Sequence, residues 1–353
     1  MWYCGLDRLA RKPAHSPIQP FRLLVQLAFL AITINIGWRF AIFVGSLAGD
    51  GPVLPRPAGV EAWLPISSLI SLKYLAATGI WNDIHPAGLA LFLIILATAL
   101  LLKRAFCSWV CPIGLLEEFL ARLGLAAFRR KIIVPPWLDF PLRSIKYLLL
   151  VFFAFSVWGM SVERLRGFIE SPYNKVADIK MMKFFMHISP TAAAVLAALV
   201  ILSFLVPYFW CRYLCPYGAL LGLAGVVSPL TVKRSADTCI SCQACTKVCP
   251  AAITVHRLES VETDECHACL KCADACPVPL TLLLSGPQKK PRPVNKYAFA
   301  ALVVLFFVVG VAAASLSGKW RTSIPPEEYR THYSQMSGPE YTHSAAMESR
   351  SDS

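Results

Sequence analysis

Eight cysteines in the second half of the chain stand in two runs with the same spacing. Both runs read C-x2-C-x2-C-x3-C-P, and their cysteines are Cys239, Cys242, Cys245 and Cys249, then Cys266, Cys269, Cys272 and Cys276. In such paired runs three thiolates of one loop bind one [4Fe–4S] cluster, and the fourth cysteine ligates the other cluster. The spacing therefore predicts one site from Cys239, Cys242, Cys245 and Cys276, and another from Cys249, Cys266, Cys269 and Cys272.

Two structural zinc sites are the alternative for eight thiols, but zinc sites use looser spacing. Each run ends in a proline, Pro250 or Pro277, which ends the local helix after the fourth thiol. His267 follows Cys266 and is interpreted as a polar neighbour of the cluster, not as a ligand. Iron is therefore the predicted metal at all eight cysteines.

Four more cysteines occur in two shorter motifs with the pattern aromatic-C-x3-C-P-x-G. They are Cys107 and Cys111 in the first motif, and Cys211 and Cys215 in the second. Helical residues four apart lie on one face, so the two thiols of each motif are predicted to share a helix face. The pattern leaves four interpretations open: a thiol/disulfide relay, a metal site, a Cu(I) site, or buried cysteines that pack as small apolar residues.

Long apolar blocks surround these motifs. The chain is 56% hydrophobic and 16% charged, whereas soluble domains have about 25% charged residues. A spanning helix needs about 20 apolar residues, and five segments meet that length: 21–45, 88–108, 144–161, 190–211 and 296–316. Segment 65–80 is shorter and is predicted to lie at the interface or re-enter. The fold class is mainly α, a polytopic membrane protein with an inserted α+β ferredoxin-like domain.

The membrane part repeats itself. Predicted helices two and four each end in a CxxxCP motif, and each follows a turn with a histidine, His85 or His187. Helices one–two and three–four are therefore interpreted as two copies of one hairpin, an arrangement that often places a site between the copies. Both histidines are candidates for quinone contact or haem ligation, with interfacial polar capping as the alternative. Arg39 within the first helix is a weaker functional hint.

The net charge of +13 follows membrane topology rather than nucleic-acid binding. Lys and Arg residues gather at the ends of the apolar blocks, as on cytoplasmic flanks; they include Arg8, Arg11, Lys12, Arg22, Lys103, Arg104, Arg129, Arg130, Lys131, Lys289, Lys290, Arg292 and Lys296. No nucleic-acid partner is expected. The predicted divisions are a cytoplasmic segment 1–20, a membrane domain 21–230, a cytoplasmic ferredoxin-like domain 231–288, a last helix with its basic flank 289–316, and a loosely ordered periplasmic tail 317–353.

Several motifs for other redox or nucleotide chemistry are missing from the sequence. It has no CxxCH for covalent haem, no GxGxxG after a strand, and no GxxxxGK[ST]. Electrons are therefore expected to come from, and go to, other molecules.

With these motifs the chain resembles the membrane polyferredoxins that include NapH, MauN and the C-terminal part of NosR, and most closely the YccM-type electron transport proteins. The resemblance covers nearly the whole length; it includes segments 56–65, 72–74 and 171–173, both CxxxCP motifs, both ferredoxin runs and segment 326–329. It implies a bacterial inner-membrane protein that passes electrons between the quinone pool or a cytoplasmic donor and a partner protein. NosR relatives add an outer flavin-bearing domain, which this chain lacks, so flavin-dependent roles are not implied.

The functional interpretation is a membrane-bound iron–sulfur electron-transfer protein. A thiol/disulfide or copper reductase that uses the four CxxxCP cysteines is one alternative. A cluster-bearing assembly or docking factor is the other.

Overall fold

The computed structural model describes residues 17–132, 134–287 and 293–342. The chain is mainly helical. Its first seven helices are α1 (Gln19–Leu47), α2 (Pro65–Thr78), α3 (Pro86–Leu102), α4 (Ala105–Trp109), α5 (Pro112–Phe128), α6 (Pro136–Trp158) and α7 (Val162–Glu170). The next four are α8 (Pro172–Lys175), α9 (Ala177–Met186), α10 (Pro190–Leu205) and α11 (Pro216–Val226).

The ferredoxin-like segment follows α11 with short elements. In chain order these are β1 (Thr231–Arg234), α12 (Ala244–Val248), β2 (Ser260–Val261), α13 (Lys271–Asp274) and β3 (Leu282–Ser285). Strand β1 lies in the centre of an antiparallel sheet and pairs with β2 and β3, with Val232 opposite Val261 and Leu284. The chain then continues into α14 (Lys296–Leu316) and α15 (Pro326–Gln335).

Three helices within the described residues are long and apolar enough to cross a membrane: α1, α6 and α14. Helices α9 and α10 meet that test together but are bent by 83° at the break between them. Helix α3 is apolar but has 17 residues. The predicted spans at 88–108 and 190–211 therefore end earlier than expected, at Leu102 and Leu205. The count of five spans stays a prediction.

The chain forms two compact units, each assembled from three parts of the sequence. The first, here the cluster-bearing unit, contains residues up to Phe29, Thr98–Phe140 and Leu202–Val304. The second, here the ion-network unit, contains Leu30–Ala97, Pro141–Ile201 and Leu305 onwards. All the predicted cluster ligands and all four CxxxCP cysteines lie in the cluster-bearing unit.

Helix α2 covers the segment predicted to be interfacial or re-entrant. Ile70 and Tyr74 on α2 pack with Leu165, Phe168 and Ile169 of α7 in a buried apolar cluster. The helix ends regularly at Thr78, because the N–H of Gly79 donates to the Leu75 carbonyl and the φ of 74° at Gly79 suits a residue without Cβ. The segment is thus a packed helix within the ion-network unit.

The described part of the tail differs from the loosely ordered segment expected from its polar composition. Helix α15 begins at Pro326, and Tyr329 and Tyr341 are 2% exposed. Tyr329 packs edge-on against Phe43 of α1 at 5.4 Å between ring centroids. The aromatic residues order this part of the tail, because burying a tyrosine offsets the entropy of fixing the backbone.

Candidate functional site

Two cavities in the ferredoxin-like segment are each lined by four cysteines. One cavity is lined by the first quartet, Cys239, Cys242, Cys245 and Cys276. The other is lined by the second quartet, Cys249, Cys266, Cys269 and Cys272. The fold thus brings together three thiols of one run with the fourth thiol of the other run, in both directions.

The loops of the two quartets share an unusual backbone. Ser241 and Gln243 have φ of 52° and 60°, and their counterparts in the other run, Ala268 and Leu270, have φ of 46° and 59°. Left-handed conformations cost about 1–2 kcal/mol for residues with a Cβ. Alternating left-handed residues turn successive N–H groups inward and form the concave nests found around Fe–S sites. The strained backbone of each loop therefore places N–H groups where an anionic group can accept hydrogen bonds from them.

The two cavities fit a cubane better than a single ion. They enclose about 330 and 380 Å³, part of it open to solvent. A single zinc ion would hold thiolate sulfurs about 4 Å apart, given Zn–S bonds of about 2.3 Å. The described part of the chain contains no group of three or more His, Cys, Asp or Glu side chains close enough to bind one ion. Four thiols around each cavity match the four iron atoms of a cubane.

The second quartet is tied to the helices by hydrogen bonds to its own backbone. Gln19 on α1 donates to the Cys269 carbonyl at 3.0 Å, and Trp109 on α4 donates to the Ala268 carbonyl at 3.1 Å. The hydroxyl of Ser108 donates to the His267 carbonyl, and Lys131 donates to the Cys249 carbonyl. The loop around this cavity is thus held by side chains of α1 and α4 and by Lys131, which follows α5.

Glu118 on α5 joins the same loop to α1. Its carboxylate lies 2.7 Å from the Arg22 guanidinium and 2.9 Å from the Lys271 ammonium. Lys271 stands between two thiols of the second quartet, and Arg22 and Glu118 have side-chain exposures of 1% and 3%. Burial would raise the pKa of Glu118, but Arg22 and Lys271 outweigh it and hold that pKa well below its usual range. The carboxylate stays charged and fixes the loop.

The first quartet has different surroundings. Cys242 is exposed, and the neighbouring apolar side chains Ile240 and Leu280 are 63% and 61% exposed. Its loop is fastened within the ferredoxin-like segment, where the Ser235 N–H donates to the Thr281 carbonyl at 2.9 Å. This cavity is therefore open to a molecule from solution.

The thiols of the two quartets differ electrostatically. Burial, followed by the nearby thiol of Cys269, raises the pKa of Cys249 to about 12. Burial also raises the pKa of Cys272. In the first quartet burial also raises the pKa of Cys245 and Cys276, whereas the backbone N–H of Ser241 lowers the pKa of Cys239. Metal ligation requires thiolates, so a bound cation would favour the ionised form of the buried thiols in both quartets.

The CxxxCP motifs adopt a conformation that the helical prediction missed. Cys111 is the N-cap of α5 with ψ of 122°, and Cys215 is the N-cap of α11 with ψ of 104°. Cys107 lies in the short helix α4, and Cys211 lies in a π-helical turn at Trp210–Leu214. The prediction that each pair shares a helix face is wrong, because a residue that precedes proline is driven out of the α region.

These two turns bring their thiols together all the same. We call Cys107, Cys111, Cys211 and Cys215 the third quartet, and all six pairs among them lie close enough to interact electrostatically. Two glycines allow the close packing. A Cβ on Gly114 would lie 2.0 Å from the Cys107 carbonyl oxygen, and one on Gly218 would lie 2.6 Å from the Arg104 guanidinium.

His85 and His187, predicted as equivalent outer residues, differ in the structure. The His85 ring is 2.7 Å from the Asn174 carbonyl and 3.5 Å from Glu61. Glu61 and Asp178 form buried ion pairs with Arg56, the network for which the ion-network unit is named. His187 is exposed at the end of α9. Arg39 on α1 is also exposed. Cys4 and the basic residues at 8–12 and 289–292 lie outside the described residues.

Sequence reasoning missed several residues that support the site. Lys103 and Arg104 were assigned to a cytoplasmic flank, but they are 0% and 3% exposed. Lys103 donates to the Val261 carbonyl of β2 at 2.9 Å, and Arg104 lies among the third quartet. A signal was present: the charges stand immediately before the first CxxxCP motif, where the second copy has Pro207 and Tyr208.

Tyr208 corresponds to Arg104 when the two motifs are aligned on their cysteines. A residue with positive φ precedes each motif, Lys103 at 56° and Tyr208 at 60°, but it lies one position later in the second copy. The Tyr208 ring stacks on His267 at 5.8 Å between centroids. Burial, followed by the charges of Arg104 and Arg22, lowers the pKa of His267 to about 3, so this imidazole is neutral beside the second quartet.

Comparison with protein families separates the ferredoxin runs from the two CxxxCP motifs in the same way. A family described as "4Fe-4S dicluster domain" matches residues 231–277. A second family, described as "4Fe-4S binding domain", matches twice, at residues 84–135 and 188–234. Each of the latter matches contains one CxxxCP motif, so the two copies of the hairpin resemble one family. No solved structure gives a significant match.

Curated relatives extend the comparison to most of the chain. YccM of Escherichia coli (strain K12), which carries an electron-transport name, is 40% identical over 321 residues, 88% of each chain. The ferredoxin-type protein NapH of Haemophilus influenzae is 28% identical over 241 residues, 66% of this chain and 74% of its own. The methylamine utilization ferredoxin-type protein MauN of Methylorubrum extorquens is 27% identical over 229 residues, 60% and 70% of the two chains.

Cysteine-lined cavities in a chain with membrane-length helices define a class, the ferredoxin-type membrane proteins of electron transport. The chain belongs to the family of that class that contains YccM and NapH.

Proposed function

We propose that this chain passes electrons between a soluble protein partner, which docks at the first quartet, and the membrane domain, whose residues hold the loop of the second quartet. The ligands would be Cys239, Cys242, Cys245 and Cys276 for one [4Fe–4S] cluster, and Cys249, Cys266, Cys269 and Cys272 for the other. A bound cluster supplies one-electron transfer at potentials between about −700 and +450 mV.

The observation that carries the proposal is the unequal attachment of two otherwise similar loops. Cys242 of the first quartet is exposed, and the exposed side chains of Ile240 and Leu280 near it suit the apolar centre of a transient interface. The loop of the second quartet is hydrogen-bonded to Gln19, Trp109 and Lys131. The chain's own residues thus present one quartet to solution and fasten the other to the helices.

The family and the charge pattern support the proposed location and partners. We assign the chain to the bacterial inner membrane, with the ferredoxin-like domain 231–288 in the cytoplasm and the tail outside. Five spanning helices would give this orientation. NapH and YccM relatives support a redox partner protein, and the quinone pool or a cytoplasmic donor would supply the electrons.

An anaerobic redox titration with EPR on the purified full-length chain tests the proposal. We expect signals from two ferredoxin-type clusters, and reduction by either a quinol analogue or a soluble ferredoxin. Protein prepared without air that contains neither iron nor acid-labile sulfide would refute it. If neither donor reduces the clusters, and the titration reduces them at no potential applied, the assembly or docking interpretation would be favoured instead.

The reductase interpretation needs a substrate at the CxxxCP cysteines. If it holds, Cys107→Ser abolishes reduction of a Cu(II) complex or a disulfide while the iron content stays that of the unmodified chain. An unchanged reduction rate in that variant would eliminate this alternative.

A further inference from the structure

The N-termini of two helices point at thiols of the third quartet. The Gly218 N–H lies 3.2 Å from the Cys215 sulfur, at the N-terminus of α11. The Cys111 sulfur likewise accepts from the N–H groups of Ile113 and Gly114, at the N-terminus of α5. Each helix N-terminus carries about half a positive charge, and unpaired N–H groups there are ready donors to an anion. In both helices, N–H groups of the first turn therefore donate to a cysteine sulfur.

Arg104 adds a full charge at the same place. Its Nε donates to the Cys107 sulfur at 3.4 Å, and its Nη2 donates to the Cys211 carbonyl at 3.4 Å. The side chain is 3% exposed, and its carboxylate neighbour Glu265 is 3.9 Å away. A buried guanidinium is costly without anions around it. The sulfur atoms of this quartet are the nearest candidates for that negative charge.

Four uncoordinated thiolates would not be balanced at this site. They carry four negative charges, which a buried site cannot hold without cations. Two helix N-termini and one guanidinium supply about two positive charges, part of which the Glu265 carboxylate offsets. A [4Fe–4S] core with two positive charges leaves four thiolates with a net charge of −2, which the remaining positive charge reduces. A Zn²⁺ ion would leave the same net charge, so metal analysis has to distinguish the two.

The third quartet also contacts the second. Ser108 and Trp109 lie between Cys107 and Cys111, and they donate to the carbonyls of His267 and Ala268 in the loop of the second quartet. Arg104 donates in addition to the Asp264 carbonyl at 3.3 Å. The two quartets are thus joined by direct hydrogen bonds within one compact unit.

We propose that Cys107, Cys111, Cys211 and Cys215 together hold a third [4Fe–4S] cluster, to which each copy of the duplicated hairpin contributes two ligands. This site extends the proposed electron path from the second quartet into the membrane domain. The duplication is then required for function, because neither copy alone supplies four thiols.

Iron and sulfide analysis of the anaerobically purified full-length chain tests this site. We expect about 12 iron atoms and 12 sulfides per chain, against about 8 of each for two clusters. The double variant Cys111→Ala/Cys215→Ala should retain about 8 of each, with both ferredoxin-type EPR signals intact. Cys4→Ala, which changes the cysteine outside all three quartets, is the matched control and should retain the full content.

A second variant pair covers the case in which the double variant fails to fold. Cys242→Ala should also lose about four iron atoms, but from the first quartet, so the signal assigned to the third quartet persists. Arg104→Gln should lower the midpoint potential of that signal, because removing a positive charge disfavours an added electron, whereas Arg104→Lys should largely restore it.

The outcomes separate this inference from the proposed function. Unmodified protein with about 8 iron atoms, unchanged by Cys111→Ala/Cys215→Ala, would overturn the third cluster and leave the electron-transfer proposal intact. Stoichiometric zinc or copper lost in that double variant would also overturn it. Absence of all iron would refute both proposals.

Discussion

The two ferredoxin quartets share one motif and one backbone conformation, yet their surroundings are opposite. Around the first, Ile240 is 63% exposed and Cys242 is open to solvent. Around the second, the backbone carbonyls accept hydrogen bonds from Gln19, Trp109 and other helix residues. The motif therefore determines how the thiols converge, and the neighbouring residues determine what can reach them. A single repeat can thus serve both as a docking point and as a relay.

Removal of one thiol from each quartet is expected to give the largest contrast. Both Cys242→Ala and Cys272→Ala should lose about four iron atoms. In Cys272→Ala a soluble ferredoxin should still reduce the first quartet's cluster rapidly. In Cys242→Ala the same protein donor should reduce the remaining iron far more slowly, while dithionite, a small reductant, still reduces it. Stopped-flow absorbance measures these rates, and equal rates with the protein donor would contradict an exclusive docking role for the first quartet.

A buried charge network is expected to support only the second quartet. Arg22→Met leaves Glu118 with less compensation in a site of 3% exposure, and breaking such a buried pair costs about 3–5 kcal/mol. We expect half of the ferredoxin-type iron to be released at lower temperature, in a separate step, because the first quartet does not use this network. Thermal iron release, followed with a ferrous chelator, measures it.

Arg122→Ala is the matched control for that variant. Arg122 pairs with the same carboxylate at 2.6 Å, but its side chain is 56% exposed. Exposed pairs contribute about 0–1 kcal/mol, so the iron release profile should barely change. If Arg122→Ala and Arg22→Met release iron alike, or if all the iron leaves in one step, the second quartet is not held separately from the first.

The contrast also explains what the sequence could predict. The cysteine spacing alone assigned thiols to quartets, because a cubane imposes the same local loop wherever it occurs. The surroundings were not predictable, because Arg22, Arg104 and Glu118 act through contacts with residues far away in the sequence. Arg104 illustrates the difficulty: a charge beside an apolar block looks like a membrane flank until tertiary structure buries it. The CxxxCP conformation could have been predicted, since Cys111 and Cys215 both precede proline.

A pH titration of stability should reveal the cost of ionising a carboxyl group buried among the helices of the cluster-bearing unit. Glu117 on α5 is 3% exposed, and its Oε1 accepts from Ser203 at 2.6 Å. Among the described residues its Oε2 has no hydrogen-bond partner. Burial outweighs the hydrogen bonds from Ser203 and Trp210 and raises the pKa of Glu117 to about 7. The folded state therefore binds a proton more tightly than the unfolded state does.

The sign of the effect follows from that difference. As pH rises from about 5 through 7, the unfolded chain has already lost this proton while the folded chain must ionise a buried group, so stability falls. The loss amounts to at most about 3 kcal/mol at 1.36 kcal/mol per pKa unit. Glu117→Gln should flatten the dependence of the melting temperature between pH 5 and 8. A dependence as steep as that of the unmodified chain would assign it to another group.

The smallest expected effect compares one side chain at each ferredoxin loop. Trp109→Phe keeps the edge-on contact with Phe299 at 5.8 Å but removes the donor to the Ala268 carbonyl, and a lost hydrogen bond to a buried group costs about 1–3 kcal/mol. Ile240→Ser changes an exposed side chain, for which about 0.5 kcal/mol is the usual limit. Only Trp109→Phe should therefore lower the temperature at which the second quartet releases iron, whereas only Ile240→Ser should slow reduction by a soluble ferredoxin. The opposite result would be an unchanged rate of reduction in Ile240→Ser and a lower rate in Trp109→Phe. The soluble partner would then dock near the second quartet, and the roles of the two quartets would be exchanged.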